Sequence, residues 1–328
     1  MKRTVSVAPM MDCTDRHDRF FLRLISKNVM LYSEMVATKS ALHGDRKKIL
    51  GYSVEEKPLA LQVGGSDKKE LAEVAKIGEE MGYDEININL GCPSKKVQKN
   101  KFGACLMKEP ELVSECINEM VNACNIPVTA KTRIGFDNIE DFDYLNNFII
   151  KMKDAGSKAF IIHARKAILK GLTPKQNLNI PKLNYEMVYK IKNENPNLNI
   201  IINGGISKVE EIKNHLKKCD GVMIGRAIYQ NPYFLVDIER EIFNEKNYPT
   251  REEVAEKLLK YLEKEVKLGT KVNHIMRHTV GLYHGQMGSK KWKRYLSDNM
   301  MARDSDFQKA KHIMTIVQNN EKVKQTIA

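Results

Sequence analysis

The chain has 328 residues, of which 42% are hydrophobic and 29% are charged, so it is longer than one average domain requires. Lysine and arginine number 54 against 41 aspartate and glutamate, and the resulting net charge of +13 favours a polyanionic partner. The apolar runs are too short to span a bilayer or, before Asp12, to act as a signal peptide, and the six cysteines contain no C-x-x-C pair. We therefore expect a cytoplasmic protein that neither enters a membrane nor holds a metal ion.

Short apolar runs recur along the first three quarters of the chain. They are rich in Val, Ile and Leu and are bounded by Gly, Pro or charged residues, as is typical of strands covered on both faces. Eight strands are predicted, at 5–10, 30–36, 58–63, 85–90, 126–131, 158–163, 198–203 and 221–224. Helical segments lie between them, one capped by Ser66 or Asp67 and another opened by Pro110. This alternation over about 245 residues predicts a parallel (β/α)₈ barrel, the TIM barrel.

A second domain is predicted after the barrel. From Arg251 onward long, charged, amphipathic segments follow one another. We predict a barrel domain over residues 1–247 and a helical domain over 248–328. Residues 251–328 contain 16 basic and 9 acidic residues, and the segment 290–295 interleaves four cations with Trp292 and Tyr295. This pattern suits a phosphate backbone with a base or sugar to stack on, and the alternative is a solvated helix face.

Two glycine turns follow the last two predicted strands. Asn203-Gly204-Gly205 ends the seventh strand, and Gly225-Arg226 ends the eighth. In a barrel of this type the loops after these strands often bind phosphate through backbone N–H groups. The turns therefore predict a phosphorylated ligand.

Polar residues end several other strands, where a barrel enzyme places its active site. Gln62 can donate to and accept from a planar heterocycle, Lys131 can face a carbonyl or a ring nitrogen, and His163 with Arg226 can reach a phosphate. A flat, phosphorylated, redox-active ligand fits these groups, and flavin mononucleotide (FMN) is the first candidate. The alternatives are an ordinary salt bridge or an aldolase-type Schiff base for Lys131, and a structural role for His163.

The fourth strand leads into the most specific segment. Asn87 and Asn89 alternate and so face one side together, before Gly91-Cys92-Pro93-Ser94 and a loop that carries Lys95, Lys96, Lys99 and Lys101. A free thiol is mostly protonated at neutral pH, so Cys92 is predicted to give a proton to a carbanion. The other cysteines are predicted to be small buried hydrophobic residues. The long loop after Cys92 is predicted to be a lid or a binding loop.

The ordered motifs resemble those of the tRNA-dihydrouridine synthases over the whole chain. They are Ala-Pro-Met at 8–10, Leu-Gln-Val-Gly-Gly at 61–65, Asn-Leu-Gly-Cys-Pro-Ser at 89–94, Phe-Gly-Ala-Cys-Leu-Met at 102–107, Lys-Thr-Arg at 131–133, His-Ala-Arg at 163–165, Asn-Gly-Gly-Ile at 203–206 and Gly-Arg at 225–226. The segments 11–17, 34–36 and 284–288 are similar to those of the DusA subfamily. The resemblance implies an FMN-bound barrel and a helical domain that grips tRNA. It further implies reduction by NADPH and action on D-loop uridines 20 and 20a.

Roles follow from the resemblance, position by position. It implies that the flavin is bound by Pro9, Met10, Met11, Gln62, Lys131 and His163, with its phosphate end held by Asn203, Gly204, Gly205, Gly225 and Arg226. It implies that Cys92 is the proton donor, and that Asn89, Lys175, Lys291 and Arg294 contact tRNA. The subfamily commonly has Trp at position 13 and Arg at position 178, where this chain has Cys13 and Leu178. We expect a monomer.

Two other functions explain part of the sequence. A dihydroorotate dehydrogenase is also an FMN barrel that acts on the same pyrimidine double bond, but it needs neither a basic helical domain nor a lysine-rich loop after Cys92. An RNA-binding protein with an inactive barrel needs the basic domain, but it does not need Cys92, Lys131 and His163 at one barrel mouth.

Overall fold

The computed structural model describes residues 4–300 and, beyond them, residues 308, 310, 312 and 315. The chain divides into two compact units. Of the described residues, the barrel unit contains those up to Thr14 together with Val29–Gly225, and the helical unit contains Asp15–Asn28 together with those from Arg226 onward.

Parallel strands form the centre of the barrel unit. In chain order they are β1 (Val5–Val7), β2 (Leu31–Tyr32), β3 (Val36–Ala37), β4 (Leu59–Gly64), β5 (Glu85–Leu90), β6 (Val128–Arg133), β7 (Phe160–His163), β8 (Ile200–Asn203) and β9 (Gly221–Ile224). The sheet runs β1-β9-β8-β7-β6-β5-β4-β2, with β3 also beside β4. Met30 lies just before β2 and bonds to β1, since the Val7 N–H donates to the Met30 carbonyl at 2.9 Å. The sheet therefore closes on itself, and the predicted (β/α)₈ barrel is confirmed.

Two predicted strands differ from the structure. The predicted strand 30–36 is divided into β2 and β3, because the Gln62 N–H donates to the Ser33 side chain at 2.9 Å rather than to a strand carbonyl. The predicted strand 5–10 ends at Val7. Pro9 has no N–H to continue a strand ladder, and the Met10 carbonyl accepts from the N–H groups of Cys13 and Thr14 in a turn.

Helices connect the strands and continue after the barrel. They are α1 (Arg16–Ile25), α2 (Thr38–His43), α3 (Arg46–Ile49), α4 (Lys68–Glu80), α5 (Lys95–Lys99), α6 (Pro110–Ala123), α7 (Phe142–Asp154), α8 (Tyr185–Glu194), α9 (Val209–Leu216), α10 (Arg226–Gln230), α11 (Phe234–Glu241), α12 (Arg251–Lys267), α13 (Val272–Met276) and α14 (Ser289–Tyr295). Two of these helices begin at the capping residues that the sequence predicts. The Asp67 carboxylate accepts from the N–H groups of Lys69 and Glu70 before α4, and Pro110 is the first residue of α6. None of the helices in the described part of the chain has the length and apolarity needed to cross a membrane.

The inward positions of the strands change from apolar to polar along the barrel. Ala60, Ile161, Ile201 and Met223 belong to one buried cluster in the barrel. Because successive side chains alternate between the two faces of a strand, the next inward positions on three of these strands are Gln62, His163 and Asn203. The carboxyl-terminal mouth of the barrel is therefore lined by polar side chains above an apolar floor.

The helical unit includes α1 although this helix lies early in the sequence. The Asp15 carboxylate caps α1, accepts from Arg277 Nη2 at 2.5 Å and lies 3.1 Å from His278 Nε2. At the other end of this segment, Asn28 Nδ2 donates to Glu239 at 2.6 Å. These partly buried polar contacts explain why the segment Asp15–Asn28 and α11 belong to one unit, whose second segment starts at Arg226 rather than after the predicted boundary at 247. The division of functions between barrel and helices stays a prediction.

Candidate active site

Amide side chains form a hydrogen-bonded row at the carboxyl ends of β4 and β5. Gln62 Nε2 donates to Asn87 Oδ1 at 2.8 Å, and Asn89 Nδ2 donates to Gln62 Oε1 at 2.9 Å. Asn87 Nδ2 in turn donates to the Thr129 hydroxyl at 2.8 Å. All three amides are buried, so these bonds fix their orientation. Asn89 has a second Nδ2 hydrogen that it can offer to a ligand.

Lys131 lies beside this row because it is the register partner of Asn89 on the neighbouring strand. Its ammonium group donates to Asn203 Oδ1 at 3.0 Å, and Asn203 Nδ2 donates to the Met223 carbonyl at 2.8 Å. Burial, together with the smaller effect of the nearby charge of Arg133, lowers the pKa of Lys131 to about 7. The group can therefore take up or release a proton near neutral pH, which is a common property of active-site lysines.

The first glycine turn lies against His163. Gly204 and Gly205 have φ angles of +123° and +73°, a region of backbone conformation that favours glycine. A Cβ atom on Gly204 would lie 2.8 Å from Cδ2 of His163, so the imidazole ring packs directly on the turn. The Tyr185 hydroxyl donates to the Gly204 carbonyl at 2.7 Å. The structure thus brings together His163, Asn203, Gly204 and Gly205.

The remaining predicted flavin contacts lie after β1 and β9. Pro9 and Met10 are partly buried, whereas 53% of Met11 is exposed. A Cβ atom on Gly225 would lie 3.2 Å from Met10 Sδ, so these two residues are neighbours in the barrel unit. Arg226 follows Gly225 in the chain, is exposed, and is the first residue of α10 in the helical unit.

Cys92 is held by its own backbone in the loop after β5. Its N–H donates to Asn89 Oδ1 at 3.0 Å, and its carbonyl accepts from the Ala104 N–H at 2.9 Å. Gly103 has φ +76°, and a Cβ atom there would lie only 2.5 Å from the Cys92 carbonyl oxygen. Burial raises the pKa of the Cys92 thiol, against the opposing effects of the Ser94 N–H and the charges of Arg133 and Lys131. The thiol is therefore protonated at neutral pH, as a proton donor must be.

The segment after Cys92 is more ordered than a long loop. It contains α5 and a 3₁₀ helix over Gly103–Lys108, and Gln98 Nε2 donates to the carbonyls of Pro93 and Leu169 at 2.8 and 2.9 Å. The four lysines between Cys92 and Phe102, namely Lys95, Lys96, Lys99 and Lys101, are exposed.

The prediction for the other cysteines holds in part. Cys116, Cys124 and Cys219 are buried, and burial raises the pKa of each thiol. Cys13 and Cys105 are partly exposed, so the prediction was wrong for them. Cys13 lies in the turn after β1, and Cys105 lies in the 3₁₀ helix Gly103–Lys108.

Arg133 is a central residue of the site to which the sequence motifs assign no role. Arg133 is the third inward position of β6 after Thr129 and Lys131, and only 3% of it is exposed. The alternation that places Lys131 in the mouth applies equally to Arg133, two residues later. That signal was present in the sequence.

The basic segment of the helical unit differs from the prediction. Lys291 and Arg294 are exposed on α14, as are Lys290 and Lys293. Trp292, however, is 1% exposed; its Nε1 donates to the Thr279 carbonyl at 2.9 Å and its ring packs edge-on against Tyr283. Because its ring is buried, Trp292 is a core residue and cannot stack on a base. The charges of this segment remain available to a polyanion.

Three further positions lie in the barrel unit. Lys175 is exposed and directly precedes a 3₁₀ turn over Gln176–Leu178. Leu178 and Cys13, the two departures from the subfamily pattern, are partly buried. Among the residues that the structure describes, no group of three or more His, Cys, Asp or Glu side chains could hold a metal ion.

The family model for dihydrouridine synthase (Dus) matches residues 6–320 of the chain. The protein belongs to the dihydrouridine synthase family. Within this family it is similar to proteins named tRNA-dihydrouridine(20/20a) synthase. The protein of Shewanella oneidensis is 51% identical over 91% of this chain and 89% of its own length. That of Synechocystis is 49% identical over 90% and 89%, and that of Escherichia coli K12 is 48% identical over 95% and 91%.

A solved structure supports the fold. A complex of 2-naphthoyl-CoA reductase with 2-naphthoyl-CoA superposes with a TM-score of 0.53 and 11% sequence identity. The match covers 71% of this chain and 49% of that one. At this identity the similarity concerns the barrel fold alone.

Proposed function

We propose that the protein reduces the C5–C6 double bond of D-loop uridines 20 and 20a in tRNA to dihydrouridine, with FMN as cofactor and NADPH as reductant. Membership of the dihydrouridine synthase family supports the reaction, and the names of the relatives support the substrate. The observation that carries the proposal is the protonated Cys92 thiol beside a row of amides and a lysine whose pKa is about 7.

The polar groups of the mouth fit FMN. Lys131 and Gln62 offer hydrogen bonds to a flat heterocycle, and His163 packs on the Gly204-Gly205 turn, where the positive φ angles suit an anion-binding loop. Asn203 lies between the proposed ring-binding residues and the glycine turn, because it bonds to Lys131 and is in register with His163. In our proposal Pro9, Met10 and Met11 line the ring, while Gly225 and Arg226 complete the phosphate end.

The side chains of the protein supply the proton and stabilise the charge that develops on the uracil. Reduced FMN, when bound, supplies the hydride that C6 of uracil receives. Cys92 then gives its proton to C5, so that one hydride and one proton complete the two-electron reduction. The free Nδ2 hydrogen of Asn89 and the charge of Lys131 stabilise the negative charge that develops on the uracil carbonyl. The uridine must leave its stack to reach this mouth, which costs least in a loop.

The proposed partner is tRNA itself. Lys175 on the barrel unit, with Lys291 and Arg294 on the helical unit, would contact its phosphates, and all three are exposed. Because tRNA and NADPH are cytoplasmic, we propose that the protein acts there, as a monomer.

The test separates the two halves of the reaction. Cys92→Ala should reduce its flavin with NADPH at the normal rate and then be reoxidised by unmodified tRNA about 10² to 10⁴ times more slowly, because only the second half needs a general acid. Cys105→Ala is the matched control, since its thiol lies in the same loop region and bonds to the Phe102 carbonyl. Stopped-flow absorbance and nucleoside analysis of the tRNA give the readout. Wild-type reoxidation of Cys92→Ala would remove the thiol from the mechanism.

A further inference from the structure

The Arg133 guanidinium is bound entirely by backbone carbonyls. Nε donates to the Gly91 carbonyl at 2.8 Å, and Nη1 donates to the carbonyls of Lys166 and Asn177, each at 3.2 Å. A buried cation is usually paired with a carboxylate, but none of these three acceptors is charged. Burial lowers the pKa of Arg133 to about 10, which leaves it protonated at neutral pH.

The three carbonyls lie in two different segments, one after β5 and the other after β7. Gly91 immediately precedes Cys92. Lys166 follows β7, whose last residue is His163. Asn177 lies two residues after Lys175, and its own buried side chain holds that loop through Ile168 and Thr173. Arg133 therefore links the proton-donor loop to the loop that carries a proposed tRNA contact.

The charge of Arg133 also acts on the thiol. Arg133 and Lys131 are the two cations whose fields favour the thiolate form of Cys92 and oppose the effect of burial. When the thiol gives up its proton, a thiolate remains in a partly buried site. A fixed cation that is not neutralised by a carboxylate stabilises that anion without reorganisation.

We propose that Arg133 is a positioning residue for the proposed reaction: it holds the Gly91–Cys92 backbone in place and stabilises the thiolate that forms at Cys92. The inference rests on the proposed function, because it concerns the same proton transfer. A single side chain thus contributes to both the geometry and the electrostatics of the donor loop.

Two substitutions separate these contributions. Arg133→Met removes the charge and the hydrogen bonds, whereas Arg133→Lys keeps the charge but cannot reach all three carbonyls with one nitrogen. Arg165→Met is the matched control, because Arg165 also donates to loop carbonyls, those of Asn179 and Pro181, but is not among the charges that act on Cys92.

The first measurement needs no tRNA. Iodoacetamide alkylation of Cys92 in the flavin-loaded protein, followed at pH 8.5 by mass spectrometry of the Cys92 peptide, reports the thiolate population. We expect Arg133→Met to be alkylated about tenfold more slowly than wild type, because loss of a nearby cation raises the pKa of a thiol. Arg133→Lys and Arg165→Met should react at close to the wild-type rate.

The second measurement is reoxidation of the reduced protein by unmodified tRNA. Arg133→Met and Arg133→Lys should both lower the maximal rate at least about tenfold, with little change in the tRNA concentration at half-saturation or in flavin reduction by NADPH. If Arg133→Met does not fold or retain flavin, Arg133→Lys decides: slow reoxidation with normal alkylation supports the inference, and wild-type reoxidation overturns it.

The two measurements also distinguish this inference from the function on which it rests. If wild-type protein is not reoxidised by tRNA, the proposed function fails, while slow alkylation of Arg133→Met still supports the link between Arg133 and Cys92. Wild-type alkylation of Arg133→Met overturns that link whatever the substrate is.

Discussion

Lys131 should make the flavin-free protein less stable at low pH than at high pH. Burial holds its folded pKa at about 7, against 10.5 for an ordinary lysine. Between these values the unfolded chain binds a proton that the folded chain does not, so the free energy of unfolding rises with pH across this window. The penalty is complete below about pH 7 and absent above about pH 10.5. One pKa unit corresponds to about 1.4 kcal/mol, so the shift sets an upper limit of about 5 kcal/mol, which partial exposure reduces to a few kcal/mol.

Lys131→Met tests this argument. The substitution leaves Asn203 Oδ1 without its lysine partner, which costs about 1–3 kcal/mol at every pH. The difference in free energy of unfolding between variant and wild type should nevertheless change with pH, in favour of the variant by a few kcal/mol at pH 6 relative to pH 10. Urea denaturation of the flavin-free proteins at several pH values measures it. Lys158→Met, at an exposed lysine before β7, is the control. A pH-independent difference for Lys131→Met would show that the proton of Lys131 does not affect stability.

Three further changes test other parts of the account. Arg226→Ala should weaken retention of FMN, measured by fluorescence titration, because a charged phosphate contact is lost. Replacing Lys291 and Arg294 together by Ala should weaken tRNA binding and lower the slope of log affinity against log salt by about one per lost phosphate contact, while flavin reduction by NADPH stays normal. Trp292→Ala should lower the free energy of unfolding by about 3–5 kcal/mol in urea, because the side chain is a core anchor.

Each of these has a contradicting result. Unchanged FMN affinity would remove Arg226 from the phosphate site. For tRNA binding the control is Lys257→Ala with Lys260→Ala, two exposed lysines on α12, and an equal effect of both pairs would mean that net charge alone matters. Wild-type stability with weakened tRNA binding in Trp292→Ala would restore the stacking role that burial argues against.

The barrel could be predicted because its strands repeat a local pattern. Each strand is a short apolar run, and the inward-facing polar positions on β4, β6, β7 and β8 follow from alternation alone. The break between β2 and β3 could not be predicted, since it depends on a hydrogen bond from the Gln62 N–H on the neighbouring strand β4 to the Ser33 side chain, which lies in the break itself. Side-chain bonds between strands leave no periodic signal in the sequence.

Some features of the active site and of the helical unit could likewise be predicted from the sequence, and others could not. Cys92, Lys131 and His163 could be placed at one mouth because each follows or ends a predicted strand. The burial of Trp292 could not be predicted, because its neighbours in sequence are four cations. The residues that it contacts, Thr279 and Tyr283, lie outside α14, in an earlier segment of the chain. Likewise, the assignment of Asp15–Asn28 to the helical unit depends on Arg277, His278 and Glu239, which are far away in sequence.

Mapping of dihydrouridine in tRNA from cells that lack this gene tests the proposed function directly. Mass spectrometry of digested tRNA should show unmodified uridine at positions 20 and 20a, with dihydrouridine restored by the wild-type gene but not by a gene encoding Cys92→Ala. Dihydrouridine at both positions in the absence of the gene would contradict the proposed function.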